Sequence, residues 1–297
     1  MTAAGDPVAT AAARDRVAAL LAELGVTAPL AWVGDHAVHL GVVQGVLADR
    51  VLDLAVTESG RQRIRAELRG RRWAEDRGIG VPEVLAAADD RRWLLSGRVH
   101  PGRTRGEGWT GEAIEAAVRI APLPVPPGDP WHPPAPGRAG RARTSVEDAA
   151  RLVRSGVRLG ELRAVLAAAR QLPLSEAGHG DFRAANAVLD DGADRLVVLE
   201  WAGVRAGARH RDLLTLWATT PGDGDREEIA EVVLARTTGW ERPDVGLLWH
   251  AVALQQLVER VTRPERGDGL GVGFARRRLA EARRMASRLG SPVAPRP

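Results

Sequence analysis

The chain has no cysteine and no tyrosine, and only two phenylalanines. It also has no lysine, so all 42 basic side chains are arginine. Without cysteine there is no disulfide and no thiolate-bound metal, which points to a cytoplasmic protein. No run of about 18 apolar residues occurs, so nothing in the sequence reads as a membrane span. The opening MTAAGDPVATAAARDRVAALLAELG mixes acids with alanines and lacks a basic start before an apolar block. It reads as a tail leading into an amphipathic helix, not as a signal peptide. With no lysine or tyrosine to titrate, a pI of 10.9 coexists with a net charge of only +4. The arginines of RIRAELRGRR and ARRRLAEARR alternate with glutamate, as on solvated helix faces, so no nucleic-acid partner is expected.

What is present is ordinary for a soluble globular protein: 44% apolar and 27% charged residues over 297 positions. That length suffices for one large domain or two lobes. Residues 1–25 read as tail and helix, residues 26–99 as a β-rich lobe and residues 100–297 as a larger, mainly helical lobe. In the β-rich part, AWVGDHAVHLGVV and VLADRVLDLAV look like antiparallel strands. The charged helix SGRQRIRAELRGRRWAEDRG follows, with Ser59 as its expected cap and Gly78 as its stop. VPEVLAAADDRRWLLSGRV reads as two strands joined at Asp89-Asp90. HPGRTRGEG is the expected hinge, and PLPVPPGDPWHPPAPGRAG the expected exposed excursion. The nine tryptophans are read as packing, and the scattered histidines show no metal-ligand spacing.

One stretch carries chemistry: HGDFRAANAVLDDGADRLVVLEW, His179 to Trp201, which holds the only asparagine in the chain, Asn186. His179, Asp181 and Asn186 fit the H-x-D-x-x-x-x-N spacing of a kinase catalytic loop. There a carboxylate orients an attacking hydroxyl and takes its proton, while an amide oxygen holds Mg²⁺ without adding full negative charge. The hairpin that follows ends on an acid, Glu200, where a phosphotransferase needs its second metal ligand.

On these residues the sequence resembles the aminoglycoside phosphotransferase and choline kinase-like family. HGDFRAAN is similar to that family's catalytic loop, and VVLEWAGVRAGARHRDLLTLW to its metal segment and following helix. RAELRGRRWAEDRGIGVPEVL is similar to its Glu-bearing helix, placing Glu67. DDRRWLLSGRVHPGRT is similar to its strand and hinge, placing Ser96 and Arg98 at the nucleotide. The resemblance implies an α+β, two-lobed protein kinase-like fold with a small β-rich N-terminal lobe, a larger mainly helical C-terminal lobe, and ATP in the cleft. It implies an ATP- and Mg²⁺-dependent transfer of the γ-phosphate to a hydroxyl of a small molecule, an antibiotic or a metabolite. Asp181 would be the base, Asn186 and Glu200 the metal ligands, and Asp212 a brace for the loop.

The sequence departs from the family at two points. The family's third strand carries a lysine that pairs with the helix glutamate; RVLDLAV puts Asp53 there, leaving Glu67 without that partner and Arg50 as the nearest replacement cation. Glu200 stands where the family has aspartate. The alternative is therefore a pseudokinase of the same fold, acting as a nucleotide-binding or partner-binding subunit.

Overall fold

The computed structural model describes residues 41–100, 108–128, 147–191, 195–262 and 270–291, together with residue 15 and the pieces 18–23 and 31–32. Residues 33–40 of the expected first strand run, residues 101–107 of the expected hinge and most of the Pro-rich excursion, from residue 129, lie outside the described residues. By contacts the chain forms two compact units. The first comprises Met1–Gly106, Pro126–Ala135 and Val188–Val204; the second holds Glu107–Val125, Pro136–Ala187 and Arg205–Pro297. Among the described residues no helix is long and apolar enough to cross a membrane.

The first unit opens with β1 (Ala31–Trp32), β2 (Val42–Val46) and β3 (Arg50–Ala55). Helix α1 (Glu58–Glu75), β4 (Val84–Ala87) and β5 (Trp93–Gly97) follow. The strands make one five-stranded sheet in the order β1-β2-β3-β5-β4, every pairing antiparallel. The turn between β2 and β3 falls inside VLADRVLDLAV, at residues 47–49, so that run is not a single strand. The pleat of β3 decides what faces where, because successive side chains leave on opposite sides. Leu52 and Leu54 pack with Leu21, Leu47 and Leu95 on one face. Val51 and Asp53 point to the other face and line a cavity.

Helix α1 is capped two residues earlier than expected. Thr57, not Ser59, holds the extended cap conformation, and its hydroxyl accepts from Gly60 N–H at 3.1 Å. The chain leaves the helix through Gly78 at φ 68°, a left-handed conformation that glycine adopts at little cost. Ile64, Glu67, Arg71 and Ala74 are buried along one stripe of α1. At Gly70 an added Cβ would lie 2.3 Å from the Trp201 carbonyl oxygen, so only glycine lets helix and turn meet there. Trp73 and Trp201 pack edge to face at 6.5 Å, a favourable aromatic geometry.

The second unit contributes α2 (Trp109–Ile120), a helical stretch at 147–154, α3 (Leu159–Ala169) and β6 (Glu176–Gly178). The hairpin β7 (Ala187–Asp190) and β8 (Arg195–Val198) returns the chain to the first unit, where Val198 N–H donates to the Gly80 carbonyl at 2.8 Å. Beyond the short turn 201–203, β9 (Arg205–Gly207) pairs antiparallel with β6, a two-strand element that the sequence pattern did not reveal. The rest is helical as expected: α4 (Arg211–Thr219), α5 (Asp223–Ala235), α6 (Arg242–Thr262) and α7 (Val272–Arg288). Trp109, Trp201 and Trp249 are fully buried, whereas Trp240 is 80% exposed and is not packing.

Candidate functional site

Beneath the sheet of the first unit lies a cavity of about 250 Å³. Its apolar wall is Val42, Val51, Ile64 and Leu94; its polar wall carries Asp53, Glu67, Glu200 and the arginines 63, 71 and 98. Three carboxylates thus face three guanidiniums, and the pairings decide which charges remain available. Glu67 and Arg71, one turn apart on α1, make a buried ion pair at 2.9 Å. The Arg71 guanidinium also donates to Ser96 Oγ at 2.7 Å and to the Pro82 carbonyl at 3.3 Å. Burial alone would raise the Glu67 pKa, but Arg71, Arg63 and the Trp201 backbone N–H more than compensate and hold it below the usual carboxylate range. Glu67 is therefore not left without a cation; its partner comes from its own helix.

Asp53 is half-buried and faces Gln44 across the β2–β3 ladder, where the amide donates to Oδ1 at 2.9 Å. Burial pushes its pKa up, opposed by Arg63, by the Gln44 hydrogen bond and by Arg71. Arg63 pairs with Glu200, Nη2 to Oε2 at 2.5 Å. Burial disfavours its charge, yet Glu200, Asp53 and Glu67 together raise its pKa. Glu200 sits at φ 66°, left-handed backbone that a non-glycine residue rarely adopts and that clusters at functional sites. Arg98 lines the same cavity and donates to the Ala48 carbonyl at 3.3 Å.

The second unit carries the Asp181 loop. His179 is fully buried, and its backbone N–H donates to Asp212 Oδ2 at 2.6 Å. Gly180 N–H bonds the same carboxylate. Burial raises the Asp212 pKa, and His179, those two amides and Arg211 oppose the rise. Asp212 thus braces the loop from below, as its place in the sequence suggested. Phe182 and Ala184 are buried, and Ala184 N–H donates to Thr219 Oγ1 at 3.0 Å. Asp181 is left 46% exposed in its side chain, paired with Arg183, which also binds Glu259 at 2.5 Å. The Asn186 amide Nδ2 donates to the Asp181 carbonyl at 2.9 Å.

Of the residues singled out from the sequence, Asp53, Glu67, Ser96, Arg98 and Glu200 meet in the first unit's cavity. Asp181 and Asn186 share the braced loop of the second unit. Arg50 is the correction: three residues from Asp53, it leaves the strand on the opposite face and pairs with Asp49 at 3.5 Å. The reading missed Arg63 and Arg71. Their signal was the i, i+4, i+8 spacing of Arg63, Glu67 and Arg71 on one helix, which stacks them on one stripe. It also missed Arg183, two residues after Asp181.

A model of the phosphotransferase enzyme family matches residues 38–245. No curated protein matches the sequence. Among solved structures, a choline/ethanolamine kinase family protein from Mesorhizobium loti is 19% identical, with 95% of this chain and 97% of that one covered and a TM-score of 0.54. The streptomycin–ATP ternary complex of APH(2″)-IIa is 12% identical, with 86% and 94% covered and a TM-score of 0.53. A thermostable mutant of aminoglycoside phosphotransferase APH(4)-Ia, in ternary complex with AMP-PNP and hygromycin B, is 16% identical, with 90% and 97% covered and a TM-score of 0.55. At these identities the likeness shows the fold, which is protein kinase-like, with a small β-sheet lobe and a larger helical lobe.

Proposed function

The chain belongs to the phosphotransferase enzyme family, and we propose that it transfers the γ-phosphate of ATP, with Mg²⁺, to a hydroxyl of a small molecule. The observation that supports this reading is the braced loop, in which Asp181, half-exposed and paired with Arg183, is joined to Asn186 through its backbone carbonyl. Asp181 orients the acceptor hydroxyl and takes its proton as oxygen attacks the γ-phosphorus. The bond from phosphorus to the β–γ bridging oxygen breaks, and ADP leaves with that oxygen.

Among the described residues there is no cluster of three or more metal-binding side chains. Mg²⁺ at a nucleotide takes one or two protein oxygens and completes its shell with phosphates and water. Asn186 and Glu200 would each offer one such oxygen, and the metal would neutralise charge on the phosphates. Glu67, Ser96, Arg98 and Asp53 would face the nucleotide. Streptomycin and hygromycin B occupy the related enzymes, so aminoglycosides are the first acceptors to assay.

Asp53 favours a second reading, a pseudokinase that binds nucleotide or a protein partner without turnover, because it adds negative charge where phosphates would lie. Thermal melts with ATP, with and without Mg²⁺, test binding; a ligand at a hundredfold its Kd adds about 2.7 kcal/mol of stability. Asp181→Asn should lower phosphate transfer by about a hundredfold or more while leaving ATP affinity near that of the wild type. Equal turnover in the variant removes Asp181 from its role. Nucleotide binding with no turnover of any alcohol acceptor selects the pseudokinase.

A further inference from the structure

The cavity holds three cations, Arg98 on the Ala48 carbonyl and two on α1, and the two on α1 are held differently. Arg71 is committed inside the protein by three groups at once: Glu67, Ser96 Oγ and the Pro82 carbonyl. Arg63 differs. Its guanidinium lies among Asp53, Glu67 and Glu200, and its hydrogen-bonded ion pair is with Glu200, a side chain 46% exposed to solvent. It also starts from α1, one turn before Glu67, on the rigid element that forms the cavity's side.

We infer that Arg63 is the cation that α1 presents to phosphate in this cavity, and that its ion pair with Glu200 is exchanged when Mg²⁺-nucleotide enters. Arg63 passes from carboxylate to phosphate, and Glu200 passes from guanidinium to metal. The inference rests on the nucleotide reading above and assigns it a residue that the sequence does not mark. The exchange keeps charge balanced at each stage. Without ligand, Glu200 and Asp53 neutralise Arg63. With ligand, Arg63 would bind phosphate, for which its planar fork of donors is well matched, and Glu200 would be released to hold the metal. Asp53 then has a purpose. It stays beside Arg63 in both states and holds the guanidinium in the cavity, anchored itself by Gln44.

Two consequences separate this exchange from a merely structural ion pair. Binding of Mg²⁺-free ATP should be limited by competition from Glu200, so Glu200→Gln should bind Mg²⁺-free ATP more tightly than the wild type does. The same variant should lose most of the gain in affinity that Mg²⁺ gives. Arg63→Gln should weaken ATP binding by about tenfold, the scale of one charge-assisted hydrogen bond, and leave adenosine, which has no phosphates, unaffected. Arg63→Lys should recover part of the loss.

Calorimetric titration of wild type, Arg63→Gln, Arg63→Lys and Glu200→Gln with ATP and adenosine, each with and without Mg²⁺, reads all of these. Thermal melts of the ligand-free variants check folding. Equal ATP affinity in wild type and Arg63→Gln overturns the inference and leaves the nucleotide reading intact. Equal loss for ATP and adenosine also overturns it, since the role would then be structural. A wild type that binds neither ligand overturns the nucleotide reading and the inference together. Mg²⁺-free ATP binding no tighter in Glu200→Gln than in wild type overturns the exchange.

Discussion

Asp53 is the residue at which sequence and structure argue in opposite directions. From the sequence, Asp53→Lys returns a missing partner to Glu67. In the structure Glu67 already holds Arg71 at 2.9 Å, so a lysine would arrive as a third cation beside Arg63 and Arg71. It would also lose the Gln44 hydrogen bond. Asp53→Lys should therefore destabilise the protein by about 1–3 kcal/mol in denaturant unfolding and bring no gain in ATP affinity. Tighter ATP binding by the variant would restore the sequence-based view. The acids and the single asparagine were legible because each has a fixed offset from its neighbours in the chain. The arginines were not, because α1 carries several and only packing decides which fold inward. Strand alternation, which is legible, already sets Arg50 on the face opposite Asp53.

At the scale of elements, helices and long strands could be read from periodicity, whereas three-residue strands such as β6 and β9 have too few positions to show a period. Helix starts depend on which hydroxyl reaches a backbone N–H, so Thr57 and Ser59 were hard to separate by sequence. Helix α4 shows what such a start can conceal. Its first flanking residue, His210, takes φ 64° and is 3% exposed, and its N–H donates to Glu176 Oε2 at 2.8 Å. Burial, then Arg209 and Arg236, push the imidazole pKa from 6.5 down to about 4, against Glu241 and a hydrogen bond to the Arg236 backbone. The unfolded chain therefore binds this proton more tightly than the folded one. The stability involved is fully present above the unfolded pKa and is lost as pH falls from about 6.5 towards about 4, by roughly 2–3 kcal/mol. Asparagine tolerates the left-handed backbone and does not titrate. Unfolding free energies of His210→Asn, measured across that pH window, should fall less steeply than those of the wild type. Parallel slopes would mean that His210 is charged in the folded state as well.

For the whole molecule, the expected boundary near residue 100 suggests a β-rich lobe that could be excised, and the contact structure argues against it. Neither unit is one continuous stretch: Val188–Val204 belongs to the first unit although it follows the Asp181 loop of the second. That late segment supplies Trp201 to Trp73, a backbone N–H to Glu67, a carboxylate to Arg63 and a partner to Gly80. It also buries Val197, Val198 and Trp201, at 2%, 0% and 0% exposure. Residues 1–106 expressed alone should therefore expose the groove that these side chains fill and show no cooperative melt by near-ultraviolet circular dichroism. Joining residues 188–204 to that fragment through a flexible linker should restore a transition, because closing such a loop costs only a slowly growing entropy. A cooperative melt of 1–106 by itself would make the returning segment dispensable. The chain passes into the first unit between Ala187 and Val188, one residue beyond Asn186. The cavity that holds Asp53, Glu67 and Arg63 is then completed only by chain that follows the Asp181 loop, which ties the folding of the first unit to the residues proposed to do the chemistry.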